Sequence, residues 1–225
     1  MPAGRGILKC VVVACGLLAA GAANAVTVTY AARSSSGNGN GMANATLGNY
    51  GGSGYGVSHP GENGSPQHAI DNHGRIDSVL VQFSAPVRLT SVTFGWAWSG
   101  SSNDTDFSVV YSTGTVPCLN AASYNALLNC GGGNSWNVLN NYNSSGTGLK
   151  NLGNDRIFAR HWLVAAYGAF GSDCVGNSSS SHCDSGDDYF KLSSVGFVEQ
   201  VPEPGSLVLL GVGLVGLGLG RRRRA

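Results

Sequence analysis

Ile76–Trp98, IDSVLVQFSAPVRLTSVTFGWAW, is the stretch that decides the fold class. Val79, Val81 and Phe83 recur at every second position, the period of a strand with one buried face. Pro86 cannot donate to a ladder and is expected to break the run, after which Val92, Phe94 and Trp96 resume it. Working outward, Val26–Tyr30 alternates Val with Thr, and Phe107, Val109 and Tyr111 make a further strand. Trp136–Leu139, Ile157–Tyr167 and Tyr189–Val198 follow. Arg156–Tyr167 also fits a helical period through Ile157, Arg160, His161 and Val164, so both readings stay open there. From Arg33 to Gly64 the chain is dense in Gly, Asn and Ser, and long irregular loops are expected. Repeated short strands with turns between them predict an all-β, antiparallel β-sandwich or jelly-roll-like ectodomain, with no repeat of solenoid length.

The 225 residues divide into three parts: 1–25, 26–200 and 201–225. The first part reads as a signal peptide. Arg5 and Lys9 form a basic n-region, Cys10–Ala20 an apolar h-region, and Ala23 and Ala25 the small residues of a cleavage site before Val26. The h-region is shorter than the ~20 residues of a spanning helix. A lipoprotein box at Cys15 is disfavoured because five residues after Lys9 are too few for an h-region. Of 13 basic residues, six lie in the end segments, while all 12 acidic residues lie between Glu62 and Glu203. Val26–Pro204 therefore carries seven basic against twelve acidic residues, a net charge of −5. An acidic exported body argues against nucleic acid as a partner. Cys118, Cys130, Cys174 and Cys183 remain after the signal, an even number in an oxidising compartment. Four cysteines allow three connectivities; local pairs Cys118–Cys130 and Cys174–Cys183 are favoured, because each closes a polar loop with few apolar residues to pin it. Zinc is the competing use, but no CxxC occurs.

The third part is VPEPGSLVLLGVGLVGLGLGRRRRA. Leu207–Gly220 is fourteen residues with five glycines. As a helix it would span ~21 Å, short of a ~30 Å bilayer core, and its glycines weaken it further. Arg221, Arg222, Arg223 and Arg224 would stay on the cytoplasmic side. Pro202 and Pro204 hold Glu203 in extended backbone just outside the apolar run. This order of Pro-Glu-Pro, short apolar helix and arginine cluster resembles the PEP-CTERM sorting signal of Gram-negative surface proteins. The resemblance implies processing by exosortase, an integral-membrane enzyme associated with exopolysaccharide production. It further implies transient residence in the inner membrane, then delivery to the cell surface, outer envelope or extracellular matrix. A plain tail anchor is the competing reading. Ala69–Gly114 also resembles the ectodomain of one group of exosortase-dependent surface proteins, a likeness that implies surface location and no biochemical activity.

Asp71, Asn72 and Asp77 offer oxygen ligands of the kind calcium takes, and Asp104 and Asp106 offer more at the next strand. Turn-capping and solvated loops would account for the same residues, and no complete calcium-loop spacing is present. No cofactor is required by the sequence; calcium is the one candidate. Trp96 and Trp98 share a strand face and, as a continuation of the Val92–Phe94 alternation, are expected in the core, with Trp98 the more exposed. If a ligand binds, Trp98, Asp104 and Asp106 are where a polysaccharide is expected, through stacking on the indole. Asp187 and Asp188 read as solvated. No G-x-S-x-G, HExxH or P-loop occurs, and no catalytic residue is assigned. The expectation is a non-catalytic exported protein associated with exopolysaccharide. A calcium-assisted carbohydrate-binding module and a secreted hydrolase are the alternatives.

Overall fold

Asp77–Ala97 forms a single 21-residue strand, β6, around which the other elements are arranged. The computed structural model describes residues 25–35, 42–60, 62, 68–98, 104–114, 119, 124–130, 136–168, 188–200 and 213–214. Among these, β1 (Val28–Ser35), β2 (Met42–Asn44), β3 (Thr46–Asn49), β4 (Tyr55–Ser58) and β5 (Ile70–Asp71) precede β6. After it come β7 (Phe107–Ser112), a four-residue helix α1 (Tyr124–Leu127), β8 (Asn137–Tyr142) and β9 (Gly148–Asn151). β10 (Ala159–Ala166) and β11 (Tyr189–Glu199) complete the order. The class is all-β, with one 11-stranded sheet running β3-β4-β11-β6-β10-β7-β8 and every strand pair antiparallel.

β6 belongs to both halves of this sheet. Its first half pairs with β1 and β10, and its second half with β11 and β9. Pro86 does not break the strand, contrary to the sequence expectation. The β1 ladder ends at Phe83 and the β11 ladder begins at Val87, while β10 skips from Gln82 to Val87 across a register irregularity. Pro86 thus occupies the one short interval of β6 where its missing N–H costs no ladder hydrogen bond.

The two halves share a core. Val79, Val81 and Phe83 of the first half join Val87, Leu89, Val92 and Phe94 of the second in one buried cluster, with Phe107, Trp162 and Phe190. The Phe94 ring stacks on Phe190 at 4.2 Å and meets Phe107 edge-on at 5.1 Å, so the two halves face each other through aromatic contacts. Each such fully buried side chain contributes about 1.5–3 kcal/mol relative to exposure. Leu80, Val110, Leu163 and Ala165, the alternate positions, form a second cluster on the opposite face, covered by Tyr124, Leu127 and Trp136. Burial on both faces explains why Arg156–Tyr167 had no clear period: β10 is a central strand with apolar residues on either side, and the helical alternative does not form.

The segment from Arg33 to Gly64 also departs from expectation. Instead of irregular loops only, it contributes β2, β3 and β4. Thr46–Asn49 pairs with Tyr55–Ser58 as a hairpin closed by a 3-10 turn at Gly51–Ser53, with the Gly51 N–H donating to Asn49 Oδ1 at 3.0 Å. The signal segment 1–24, Cys118, Cys174, Cys183 and the sorting residues Pro202, Glu203, Pro204 and Arg221–Arg224 lie outside the described residues. Among the described residues no helix is long and apolar enough to cross a membrane.

Candidate functional site

Three carboxylates meet where β11 begins. Oxygens of Asp104, Asp106 and Asp188 all lie within 4.8 Å of one another, and Asp106 and Asp188 are fully buried. Asp104 and Asp188 form a parallel bridge between the segment leading into β7 and the start of β11. The Asp106 N–H donates to Asp188 Oδ1 at 2.6 Å, and the Ser144 N–H donates to Asp106 Oδ1 at 2.6 Å. Asn72 is the clamp. Its Nδ2 donates to Asp188 Oδ2 at 2.5 Å and to the Tyr167 carbonyl at 3.1 Å, while its Oδ1 accepts from the Asp188 N–H at 3.1 Å.

Burial is the largest cause that raises the Asp188 pKa, followed by its hydrogen bond to Asp104 and the charges of Asp104 and Asp106; the Asp106 N–H opposes them. Three carboxylates at this separation, two of them fully buried, cannot all remain ionised without a countercharge. The arrangement has two chemical solutions: a proton held on Asp188, or a hard cation taken by the oxygens. Asp104, Asp106 and Asp188 are the residues that could hold such an ion.

The sequence reading distributed these residues differently. Asp104 and Asp106 lie together, and Asn72 joins them through Asp188. Asp71 and Asp77 do not belong to that cluster. Asp71 caps a turn by accepting the His73 N–H at 3.0 Å, and burial pushes its pKa up to about 7. Asp77 is fully buried at the start of β6 with neither carboxylate oxygen hydrogen-bonded, and burial together with the Asp71 charge pushes its pKa up to about 8. Asp188 is not solvated, contrary to expectation. No local signal marks it: Asp188 joins the cluster because β11 begins beside the segment leading into β7.

An aromatic strip adjoins the carboxylates. The Trp98 N–H donates to the Tyr189 carbonyl at 3.2 Å, and the Tyr189 N–H donates to the Asp104 carbonyl at 3.2 Å, so Trp98 and the acidic cluster share the beginning of β11. Trp96 and Trp98 are partly buried and belong to neither core cluster, which corrects the expectation that they continue the core. The reason is a bulge. Leu192 pairs with Phe94 but Lys191 pairs with Trp96, so Gly95 is an extra residue and the face of the strand changes there. Gly95 is required: a Cβ would lie 2.5 Å from the Gly52 carbonyl oxygen of the 3-10 turn. Trp96 therefore turns to the side of its ladder partner Lys191, and Trp98 follows it, half-buried beside the buried Tyr189. Trp136 and Trp162 are the core tryptophans, each essentially inaccessible.

Beyond Ser144 lies a cleft of about 400 Å³ lined by Phe107, Asn140, Tyr142, Lys150 and Leu152. Lys150 donates to the Ser145 carbonyl at 2.7 Å.

Residues 200–224 match the family model of the PEP-CTERM protein-sorting motif. The chain carries a PEP-CTERM sorting signal. The matched segment holds the Pro202-Glu203-Pro204 triplet, the apolar run and the four arginines. A PEP-CTERM motif marks an exported protein targeted to exosortase, its processing partner, with membrane-associated processing on the way toward the cell surface. No curated protein and no solved structure matches the chain.

Proposed function

We propose that the chain is a non-catalytic protein of the cell surface or extracellular matrix, released from or attached to the envelope after exosortase processing and associated with exopolysaccharide. The PEP-CTERM motif at 200–224, placed directly behind an all-β body that ends with β11 at Glu199, carries this reading. Only two residues, Gln200 and Val201, separate the last strand from Pro202-Glu203-Pro204, and the apolar run follows the triplet at Leu207. Glu203→Ala removes the one negative charge of the motif without altering the apolar run. The unprocessed form of this variant then accumulates in the inner membrane, whereas the wild type leaves it. Equal distribution of the two across inner-membrane and outer fractions would remove the processing step from the proposal.

A second reading, a calcium-assisted carbohydrate-binding module, is favoured by the Asp104, Asp106 and Asp188 cluster lying at the same strand end as Trp98. Calcium would relieve the repulsion among the three carboxylates and fix the loop that leads into β7. Millimolar calcium chloride then raises the melting temperature of the wild type relative to EDTA, and Asp188→Asn abolishes the difference. A melting temperature indifferent to calcium in the wild type would exclude calcium from this reading.

A further inference from the structure

We propose that the outward face of β6 and β11 is a platform for a polysaccharide bearing carboxylate groups, with Lys191 receiving the carboxylate and Trp98 stacking on a sugar ring. The inference rests on the carbohydrate-binding reading above and names the ligand class and the contact residues.

An outward-facing sheet surface is ordinarily polar, and this one is not. Three separate parts of the chain bring rings to it. The Gly95 bulge turns Trp96 and Trp98 outward, β11 supplies Tyr189, and the 3-10 turn supplies Tyr50. Neighbouring groups touch in sequence along the face. Trp98 lies 6.2 Å from Tyr189 and 6.3 Å from Trp96, and the Lys191 ammonium lies 4.8 Å from the Trp96 ring and 4.1 Å from the Tyr50 ring. Two glycines hold this assembly in place by close approach. A Cβ on Gly54 would meet the Leu192 backbone at 2.5 Å, and one on Gly95 would meet Gly52, so the turn carrying Tyr50 is pressed onto the β6–β11 pair. Tyr50 is exposed and Trp96 and Trp98 are half-buried, none of the three belongs to either core cluster, and Tyr189 beside Trp98 is buried; apolar groupings that reach the surface in this way mark interaction surfaces.

Lys191 selects the ligand. Its ammonium rests between the faces of Tyr50 and Trp96, which position the charge without neutralising it. No ion pair among the described residues includes Lys191. Partial burial lowers its pKa, and the Glu62 charge opposes this. A carboxylate brought against it gains a charge-assisted hydrogen bond in a partly desolvated setting. Among the described residues the rings beside Trp98 meet it at an angle, 82° for Trp96 and 48° for Tyr189, so neither stacks parallel over it. A pyranose C–H face fits such an indole, and its attached carboxylate can turn toward the cation. A neutral polymer would make no charge-assisted hydrogen bond with Lys191.

The test uses the full-length chain, with polygalacturonate and dextran as probes, in EDTA so that calcium plays no part. Affinity electrophoresis is expected to show retardation by polygalacturonate, weakening with salt, and little by dextran. Lys191→Gln should weaken retardation roughly tenfold, the scale of one lost charged hydrogen bond, while Lys191→Arg retains it. Thermal melts of each variant establish that it is folded, and the salt dependence of the wild type tests the charge without any substitution. Retardation by dextran equal to that by polygalacturonate, or no effect of Lys191→Gln in a folded variant, would overturn this inference while leaving carbohydrate binding in place. Retardation by neither polymer, in EDTA or in calcium, would overturn both.

Discussion

Replacing Asp77 by Asn should stabilise the protein, and more so as pH rises. Asp77 is the first residue of β6, paired with Ser34 of β1, fully buried and with both carboxylate oxygens lacking a hydrogen-bond partner. Burial is the main cause that raises its pKa from 3.8 to about 8, with the charges of Asp71 and Glu62 acting the same way and Ser34 and Arg75 opposing them. The folded state therefore binds a proton that the unfolded chain releases above pH ~4, so stability falls as pH rises from about 4 to about 8. At pH 7 the folded group sits about three pH units above its unfolded pKa, and at ~1.4 kcal/mol per unit the cost is about 4 kcal/mol at most. Asn is neutral at every pH and nearly the same shape. Asp77→Asn should match the wild type within about 1 kcal/mol at pH 4 and exceed it by about 2–4 kcal/mol at pH 7. Urea denaturation at pH 4, 6 and 8 measures this difference. A variant less stable than wild type at pH 8, or a difference that does not grow with pH, would refute the assignment of Asp77 as a buried, proton-holding carboxyl.

Two further outcomes follow from the packing and a third from the cysteines of the sequence. Trp162→Ala, which empties a fully buried position in the shared core, should cost about 3–5 kcal/mol in a denaturation experiment. Gly95→Ala should cost about 1–3 kcal/mol, because the new methyl meets the Gly52 carbonyl, and the variant should lose the near-UV circular dichroism of the Trp96–Tyr50 region. Non-reducing peptide mapping of exported protein should link Cys118 to Cys130 and Cys174 to Cys183; a Cys130–Cys174 peptide would contradict the local pairing.

The strand content was legible where one face is buried. Val79, Val81 and Phe83 announced the first half of β6 by alternation alone, and Phe107, Val109 and Tyr111 announced β7. β3 and β4 were not legible because Thr46–Asn49 and Tyr55–Ser58 are short and glycine-bearing, and they are strands through ladder bonds to each other and to β11. The continuity of β6 through Pro86 and the reversal of face at Gly95 depend on where partner strands start, stop and slip, which no local pattern records. The same limit explains the site. Asp104 and Asp106 could be picked out as neighbours, but Asp188 is 82 residues beyond Asp106 and joins them only because β11 begins beside the segment leading into β7. The sorting motif was fully legible because its three parts are contiguous and each acts through composition: fixed backbone, marginal apolar length, and charge.

The central claim concerns that motif, and the intact mass of the wild-type protein recovered outside the inner membrane tests it most directly. Four arginines on a fourteen-residue apolar run are a signal that must be removed for the body to leave, since each arginine resists transfer by ~2.5 to 3.5 kcal/mol at mid-membrane. The recovered protein should begin at Val26 and lack Arg221–Arg224 together with the apolar run. A surface or released protein whose mass still includes Arg221–Arg224 would contradict the processing that the PEP-CTERM motif implies.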